Sequence, residues 1–151
     1  MILTSDLDLL QLVSPITEVE LFSQYWAKRS FDVKAAKRRF GGLALENIPY
    51  YKALVGDTSD NLPGVPGIGD VSATAVLGEY GNLGKVYGDL DAISELPFRG
   101  AKRVSRLLAE HREQAFLMRT LTTIVCDVPV DVDIDGALIE EPVLKDTHRL
   151  P

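Results

Sequence analysis

The sequence predicts a mainly helical fold with a small α/β part at its N-terminal end. Residues 2–4 (Ile-Leu-Thr) are a short apolar run, which is typical of a buried parallel strand, and acidic residues follow it. Two helical segments, 48–55 and 71–80, flank a loop rich in Gly and Pro. Residues 101–121 carry apolar side chains at helical spacing. We therefore expect one sheet edge followed by helices that enclose a single loop.

The first third of the chain contains two further predicted helices. A short helix over residues 9–12 is capped by Asp6 or Asp8. A second helix over residues 33–40 starts after Asp32, a good N-cap, and ends at a Gly-Gly pair that supplies the positive φ needed there.

Three aromatic residues, Phe22, Tyr25 and Trp26, precede the second of these helices at spacings i, i+3 and i+4. They could stack on nucleic-acid bases beside neighbouring cations. The same spacing is more often a buried helix face, and we prefer that interpretation.

The remaining elements follow from local signals. Residues 83–90 form a short predicted helix, and 101–121 form one long amphipathic helix. Residues 128–135 alternate between apolar and acidic side chains, which predicts an edge strand with its acids outward.

Composition narrows the possible classes of protein. The 151 residues are 46% hydrophobic, which suffices for one packed domain. No segment is long and apolar enough to span a membrane, so we expect no membrane partner, and no secretion signal is visible, so we expect a cytoplasmic location. The single cysteine, Cys126, excludes an internal disulfide framework and is predicted to be a small buried hydrophobe.

Net charge is −6, but the acids are unevenly placed. Residues 126–151 hold seven acids and two bases, a balance of −5, which leaves −1 for the first 125 residues. Two basic clusters stand within that near-neutral body, and each is either a phosphate-tracking surface or an ordinary solvated helix face. Their members are Lys28, Arg29, Lys34, Lys37, Arg38 and Arg39, and Arg99, Lys102, Arg103, Arg106 and Arg112. His111 and His148 have no partner at metal-ligand spacing and are predicted surface residues.

Residues 56–69 read Gly-Asp-Thr-Ser-Asp-Asn-Leu-Pro-Gly-Val-Pro-Gly-Ile-Gly. Asp57 and Asp60 share one face of a helical turn and could bind a hard divalent cation. The glycines that follow permit positive φ and close approach of a foreign backbone, and the next helix offers free N–H groups to a phosphate.

This run closely resembles the signature of the 5′-nuclease superfamily, the flap endonucleases and the 5′-to-3′ exonuclease domains of bacterial DNA polymerase I. Residues 2–13, with Asp6 and Asp8, are similar to the family's Asp-x-Asp strand end, and the similarity extends from about residue 2 to 132. The resemblance implies the C-terminal portion of a 5′-nuclease (PIN-like) domain with a helix-three-turn-helix motif at 48–81.

The resemblance also implies a domain organisation. We expect a truncated nuclease domain at 1–135, with an α/β metal-binding remnant at 1–30 and a helical DNA-binding region at 31–125, and an acidic, disordered tail at 136–151. The family's preceding stretch has no counterpart here, so we expect the chain to be a fragment, a truncated reading frame, or a reduced form completed by a partner chain.

The acids that match the family imply two Mg²⁺ or Mn²⁺ ions for phosphodiester hydrolysis. The predicted catalytic and metal ligands are Asp6, Asp8, Asp57 and Asp60. Each taken alone could instead cap a helix or brace a turn. The four together with the loop favour metal coordination, because uncompensated carboxylates would repel one another.

In the family the glycine hairpin grips duplex DNA through backbone groups, commonly with K⁺ on main-chain carbonyls. The position that is commonly Lys in relatives is Val71 here, so a direct phosphate contact is lost. The predicted DNA-binding residues are Gly64, Val65, Gly67, Ile68, Gly69, Ser72, Lys102 and Arg103.

Two functions are therefore predicted. The first is a structure-selective, metal-dependent 5′-to-3′ exonuclease or flap endonuclease that acts on DNA with a 5′ flap or 5′ end, with RNA strands as a further possible substrate. The second is a non-catalytic duplex-binding remnant, or a subunit that obtains its missing metal ligands from a partner chain.

Overall fold

The computed structural model describes residues 1–23, 26–133 and 136. Its N-terminal part is a three-stranded sheet in the order β1 (Ile2–Thr4), β2 (Val19–Ser23) and β3 (Trp26–Phe31). β1 runs parallel to β2, and β2 runs antiparallel to β3. The predicted parallel strand is confirmed, but it is not buried, because Leu3 is 60% exposed.

The predicted aromatic helix face is wrong. Phe22 lies in β2 and is half exposed, and Trp26 begins β3. Tyr25 lies outside the described residues. Pairing between the two strands satisfies their backbone groups, which overrides the helical spacing of the three aromatic side chains.

The other regular elements of the described chain are helices. Short 3₁₀ helices cover Leu7–Leu12 and Leu45–Asn47. The α-helices are α1 (Val33–Arg39), α2 (Ile48–Val55), α3 (Asp70–Tyr80), α4 (Leu83–Gly88), α5 (Leu90–Ile93), α6 (Ala101–Glu110) and α7 (Arg112–Thr122).

Several helix ends lie where the sequence places them. The carboxylate of Asp32 accepts a hydrogen bond from the Ala35 N–H at 2.6 Å and caps the N-terminus of α1. Beyond the C-terminus of α1, Gly41 has a φ of 65°. Gly56 and Gly81 end α2 and α3 with φ of 90° and 78°.

The predicted long helix over 101–121 is wrong, because it divides at His111, where φ is −116°. α6 packs against α5, and its Ser105 hydroxyl donates to the Leu90 carbonyl at 2.7 Å. α7 packs against α2, where the Thr122 hydroxyl donates to the Pro49 carbonyl at 3.1 Å. The bend lets the two halves reach different partners. The predicted helix over 83–90 likewise divides at Asp89, whose carboxylate caps α5.

The segment after α7 corrects two predictions. Residues 128–133 form no strand, and residues 134 and 135 lie outside the described part of the chain. Cys126 is exposed rather than buried. Val125, Val128 and Val130 are more than half exposed, so the apolar alternation here does not reflect burial.

One core joins the sheet to the helices. Its fully buried side chains include Leu10 and Val19 from the sheet region and Leu54, Leu77 and Leu108 from the helices. Among the described residues, no helix combines the length and apolar character that crossing a bilayer requires.

Candidate metal centre and nucleic-acid interface

Three of the four predicted acids converge. Asp8, Asp57 and Asp60 each offer a carboxylate oxygen, and these oxygens lie within 4.8 Å of one another. Asp8 comes from the first 3₁₀ helix, and the other two come from the turn after α2. Asp8 and Asp57 are partly buried, and Asp60 is exposed. Oxygen donors at this spacing fit a hard divalent cation.

The turn that presents Asp57 and Asp60 is closed by backbone hydrogen bonds. The N–H groups of Asp57 and Leu62 each donate to the other residue's carbonyl at 2.8 Å. The Asp57 carboxylate accepts the Ser59 N–H at 3.0 Å and also the Ser59 hydroxyl. Asp57 thus caps its own turn through Oδ1, and its Oδ2 accepts a hydrogen bond from the Lys52 amine.

Asp6 is not part of this group of three. Its carboxylate accepts the Asp8 N–H at 2.8 Å and caps the first 3₁₀ helix, and its own N–H donates to Thr4 Oγ1. The side chain of Asp6 lines the same cavity as Asp57 and Asp60. Asp6 therefore orients the turn that carries Asp8.

Lys52, a base that contacts two of the acids, was not predicted from the sequence. Its amine contacts the Asp8 carboxylate and lies 2.6 Å from Asp57 Oδ2, and the residue is only 7% exposed. Burial by itself would raise the pKa of Asp57, but hydrogen bonds from Lys52 and Ser59 outweigh it and lower that pKa. The sequence signal that could have identified Lys52 is that it is the single base in the mostly apolar helix α2, about one and a half turns before Asp57.

A cavity of about 770 Å³ opens beside the acids. Its lining includes Arg39 from α1, Lys52 and Tyr51 from α2, and Asp70 at the start of α3. The Tyr51 hydroxyl donates to Asp70 at 2.9 Å. Burial, reinforced by Asp70, raises the pKa of Tyr51 to about 12. The cavity thus connects the acid cluster to the beginning of α3.

The glycine loop is held by its own apolar residues. Val65 and Ile68 are at most 4% exposed, and the Val65 N–H donates to the Leu54 carbonyl at 2.9 Å. Gly64 is buried with φ of 63°, whereas Gly67 and Gly69 are exposed. Gly69 is the N-cap of α3 and makes no side-chain capping bond. The exposed backbone of the loop therefore leads directly into the N-terminus of α3.

Two helices support this loop. The Gln114 amide of α7 donates to the Gly64 carbonyl. The Arg103 guanidinium of α6 lies 2.8 Å from the point that a Cβ atom on Gly67 would occupy. Lys102, the residue before Arg103, is exposed, and Ser72 is partly exposed in the first turn of α3. The predicted DNA-binding residues thus divide into loop anchors, exposed backbone and adjoining cations.

Residues 43–145 match the family described as 5′-3′ exonuclease, C-terminal SAM fold. The chain belongs to the 5′-3′ exonuclease family. It is 44% identical over 140 residues to DNA polymerase I of Pseudomonas aeruginosa, an alignment that covers 92% of this chain and 15% of the polymerase. It is 30% identical over 152 residues to a 5′-3′ exonuclease of Buchnera aphidicola, which covers 99% of this chain and 51% of that protein. This family member therefore spans at most about half the length of these relatives.

Solved structures agree with this assignment. A bacteriophage T5 flap endonuclease, crystallised with DNA and metal ions, superposes with a TM-score of 0.59 at 26% identity. A T5 5′-exonuclease with bound zinc gives the same values. Each match covers 80% of this family member and 41% of the T5 chain. The predicted fold class, mainly helical with a small α/β part and belonging to the C-terminal portion of the nuclease domain, is confirmed.

Proposed function

We propose that this family member acts as a structure-selective, divalent-metal-dependent 5′-to-3′ exonuclease and flap endonuclease on DNA. The observation that carries the proposal is the convergence of Asp8, Asp57 and Asp60 within 4.8 Å, beside a glycine loop that ends at a helix N-terminus. The T5 relative crystallised with DNA and metal ions supports it.

In this proposal Asp8, Asp57 and Asp60 hold Mg²⁺ or Mn²⁺ through carboxylate oxygens. The bound metal supplies Lewis acidity and a water of lowered pKa. Asp6 holds the backbone of Asp8 in place, and its carboxylate remains a predicted further ligand from the same cavity wall. Ser59 fixes the orientation of the Asp57 carboxylate through two hydrogen bonds.

The DNA backbone is proposed to lie along the exposed face of the loop. Gly67 and Gly69 allow close approach, and the first N–H groups of α3 offer hydrogen bonds to a phosphate. Arg103 adds positive charge beside Gly67, and Lys102 and Ser72 extend the same surface. The carbonyls of Gly64 and Val65 already accept bonds from Gln114 and Ile68, and K⁺ binding by the loop stays a prediction.

The alternative function is duplex binding without cleavage. Lys52 favours it, because its ammonium group already pairs with two of the three carboxylates and offsets one of their three negative charges. A partner chain that supplies further metal ligands, RNA strands as substrate, and a cytoplasmic location all stay predictions. Binding through the backbone of one strand does not by itself select the sugar.

Cleavage of a 5′-flap DNA tests the two functions. The purified chain is assayed with Mg²⁺ and then Mn²⁺, beside an Asp57→Asn and Asp60→Asn double variant and a matched Asp91→Asn control, whose exposed residue lies on α5 away from the cavity lining. Cutting that the double variant loses and the control keeps supports the nuclease. Duplex binding without cutting in all three proteins supports the alternative. An RNA flap of the same shape, run in parallel, tests the sugar preference.

A further inference from the structure

The acid cluster contains its own cation. Lys52 extends from α2 so that its amine contacts Asp8 and lies 2.6 Å from Asp57. Its side chain is 8% exposed, and the described basic residues that line the adjoining cavity are Lys52 and Arg39. The ammonium group thus lies between two of the three carboxylates that would hold a metal.

This arrangement is electrostatically reasonable for the chain without metal. Three carboxylates within 4.8 Å repel one another, and a buried lysine is costly unless it is paired. Lys52 reduces the formal charge of the group from −3 to −2 and satisfies its own need for acceptors. The acids are therefore held together before any divalent cation binds.

The same arrangement opposes metal binding. A divalent cation needs the carboxylate oxygens that the ammonium group occupies, and two cations a few ångströms apart repel strongly in a partly buried site. The lysine stem is flexible, and the cavity it lines has a volume of about 770 Å³, which leaves room for the amine to move aside.

We infer that the Lys52 ammonium is a resident counter-ion of the Asp8, Asp57 and Asp60 group, and that a divalent cation binds there by displacing it. This inference rests on the proposed function, since it assumes that the three acids take up a metal. Lys52 then sets the metal affinity of the site and keeps the acids in place in metal-free protein.

Isothermal titration with Mn²⁺ tests the displacement. Lys52→Met keeps the apolar stem and removes the charge, and Lys85→Met makes the same change at an exposed position on α4. We expect Lys52→Met to bind Mn²⁺ at least about tenfold more tightly than the unmodified chain, because one repelling charge is gone. Lys85→Met should bind as the unmodified chain does.

A second measurement uses the unmodified protein and is independent of how the variant folds. Side-chain NMR signals of Lys52 and Lys85 are followed during titration with Mg²⁺. Displacement moves the Lys52 signals saturably and leaves those of Lys85 unchanged. Lys52 signals that stay fixed while Mg²⁺ binds would overturn the inference.

The outcomes separate this inference from the proposed function. If Lys52→Met binds Mn²⁺ no more tightly than the unmodified chain, while Asp57→Asn loses binding, the displacement is wrong and the metal site stands. If Lys52→Met binds Mn²⁺ and the unmodified chain does not, Lys52 blocks the site and is not displaced, so the displacement and the metal-dependent nuclease are both wrong. If neither the unmodified chain nor Lys52→Met binds Mn²⁺, the displacement and the metal site are both wrong.

Discussion

A Cβ atom on Gly64 would lie 2.3 Å from the backbone nitrogen of Gly56, so the glycine loop and the end of α2 touch through bare backbone. Both residues have positive φ, 63° for Gly64 and 90° for Gly56. Asp57 follows Gly56 directly. The contact therefore fixes the position of a metal-site acid relative to the loop proposed to grip DNA.

Gly64→Ala should destabilise the fold by on the order of 3 kcal/mol, because the new methyl group meets backbone atoms that cannot move and φ is unfavourable. Urea unfolding followed by circular dichroism measures the change. Gly78→Ala in the interior of α3 is the matched control, since an added Cβ meets nothing within 4 Å there. That control should stabilise by roughly 0.5–1 kcal/mol. Equal midpoints for the two variants would contradict the proposed steric role.

Thr122→Val should cost about 1–2 kcal/mol, because the buried hydroxyl that joins α7 to the Pro49 carbonyl is lost and the carbonyl stays buried. Thr120→Val is a fitting comparison, since its exposed hydroxyl bonds only within α7, to Phe116. Thermal unfolding of both variants measures the difference. A loss of equal size at both positions would show that the exchange of a hydroxyl for a methyl group in α7, rather than the contact between helices, is responsible.

Tyr87→Phe should be neutral or stabilising by up to about 1 kcal/mol near pH 8, because the Tyr87 hydroxyl is buried without a hydrogen-bond partner among the described residues. Burial raises the pKa of Tyr87 to about 12, although Arg112 acts in the opposite direction. The folded state thus favours the neutral phenol of Tyr87. This contribution to the free energy of unfolding is fully present below about pH 10 and is lost as pH rises through about 12.

The advantage of Phe at position 87 over Tyr should therefore grow between pH 10 and 12, by on the order of 1 kcal/mol after solvent screening is included. Urea unfolding at pH 8, 10 and 11.5 follows it. Tyr51 has a pKa raised to about 12 as well, so both proteins lose stability in this range, and only their difference reports on Tyr87. If the difference in stability between the two proteins does not vary with pH, the raised pKa of Tyr87 is wrong.

Arg103→Ala should weaken duplex binding and reduce the slope of log K against log salt by about 1, because one phosphate contact is lost. Arg106→Ala on the same helix is the control, since Arg106 lies beside Glu110 at 3.6 Å. Fluorescence anisotropy on one duplex over a range of salt concentrations gives both slopes. Equal slopes for the two variants would separate Arg103 from the proposed DNA surface.

The elements that the sequence predicted well carry strong local signals. Asp32 and the Gly-Gly pair after it define α1, and Gly56 and Gly81 end α2 and α3 through positive φ. These are short-range effects of cap geometry and glycine conformation. The division at His111 could not be predicted in the same way, because it depends on where α5 and α2 lie, and no residue near it favours a break strongly.

The candidate site shows the same contrast. The proximity of Asp57 and Asp60 follows from their spacing, but the approach of Asp8 depends on the long-range packing that brings the first 3₁₀ helix to α2. Lys52 was missed because its role depends on that packing as well. The burial of Cys126 was predicted wrongly, since a β-like sequence is buried only where a neighbouring element covers it.

The burial of Val65 and Ile68 has a consequence for how the loop can move. Because both side chains are part of the core and the Val65 N–H is bonded to Leu54, the loop cannot open without unfolding the helices around it. The Val65 amide should then exchange with deuterium only at the rate of global opening. Duplex recognition would stay constant as denaturant is added, and would vanish together with the fold in a single transition.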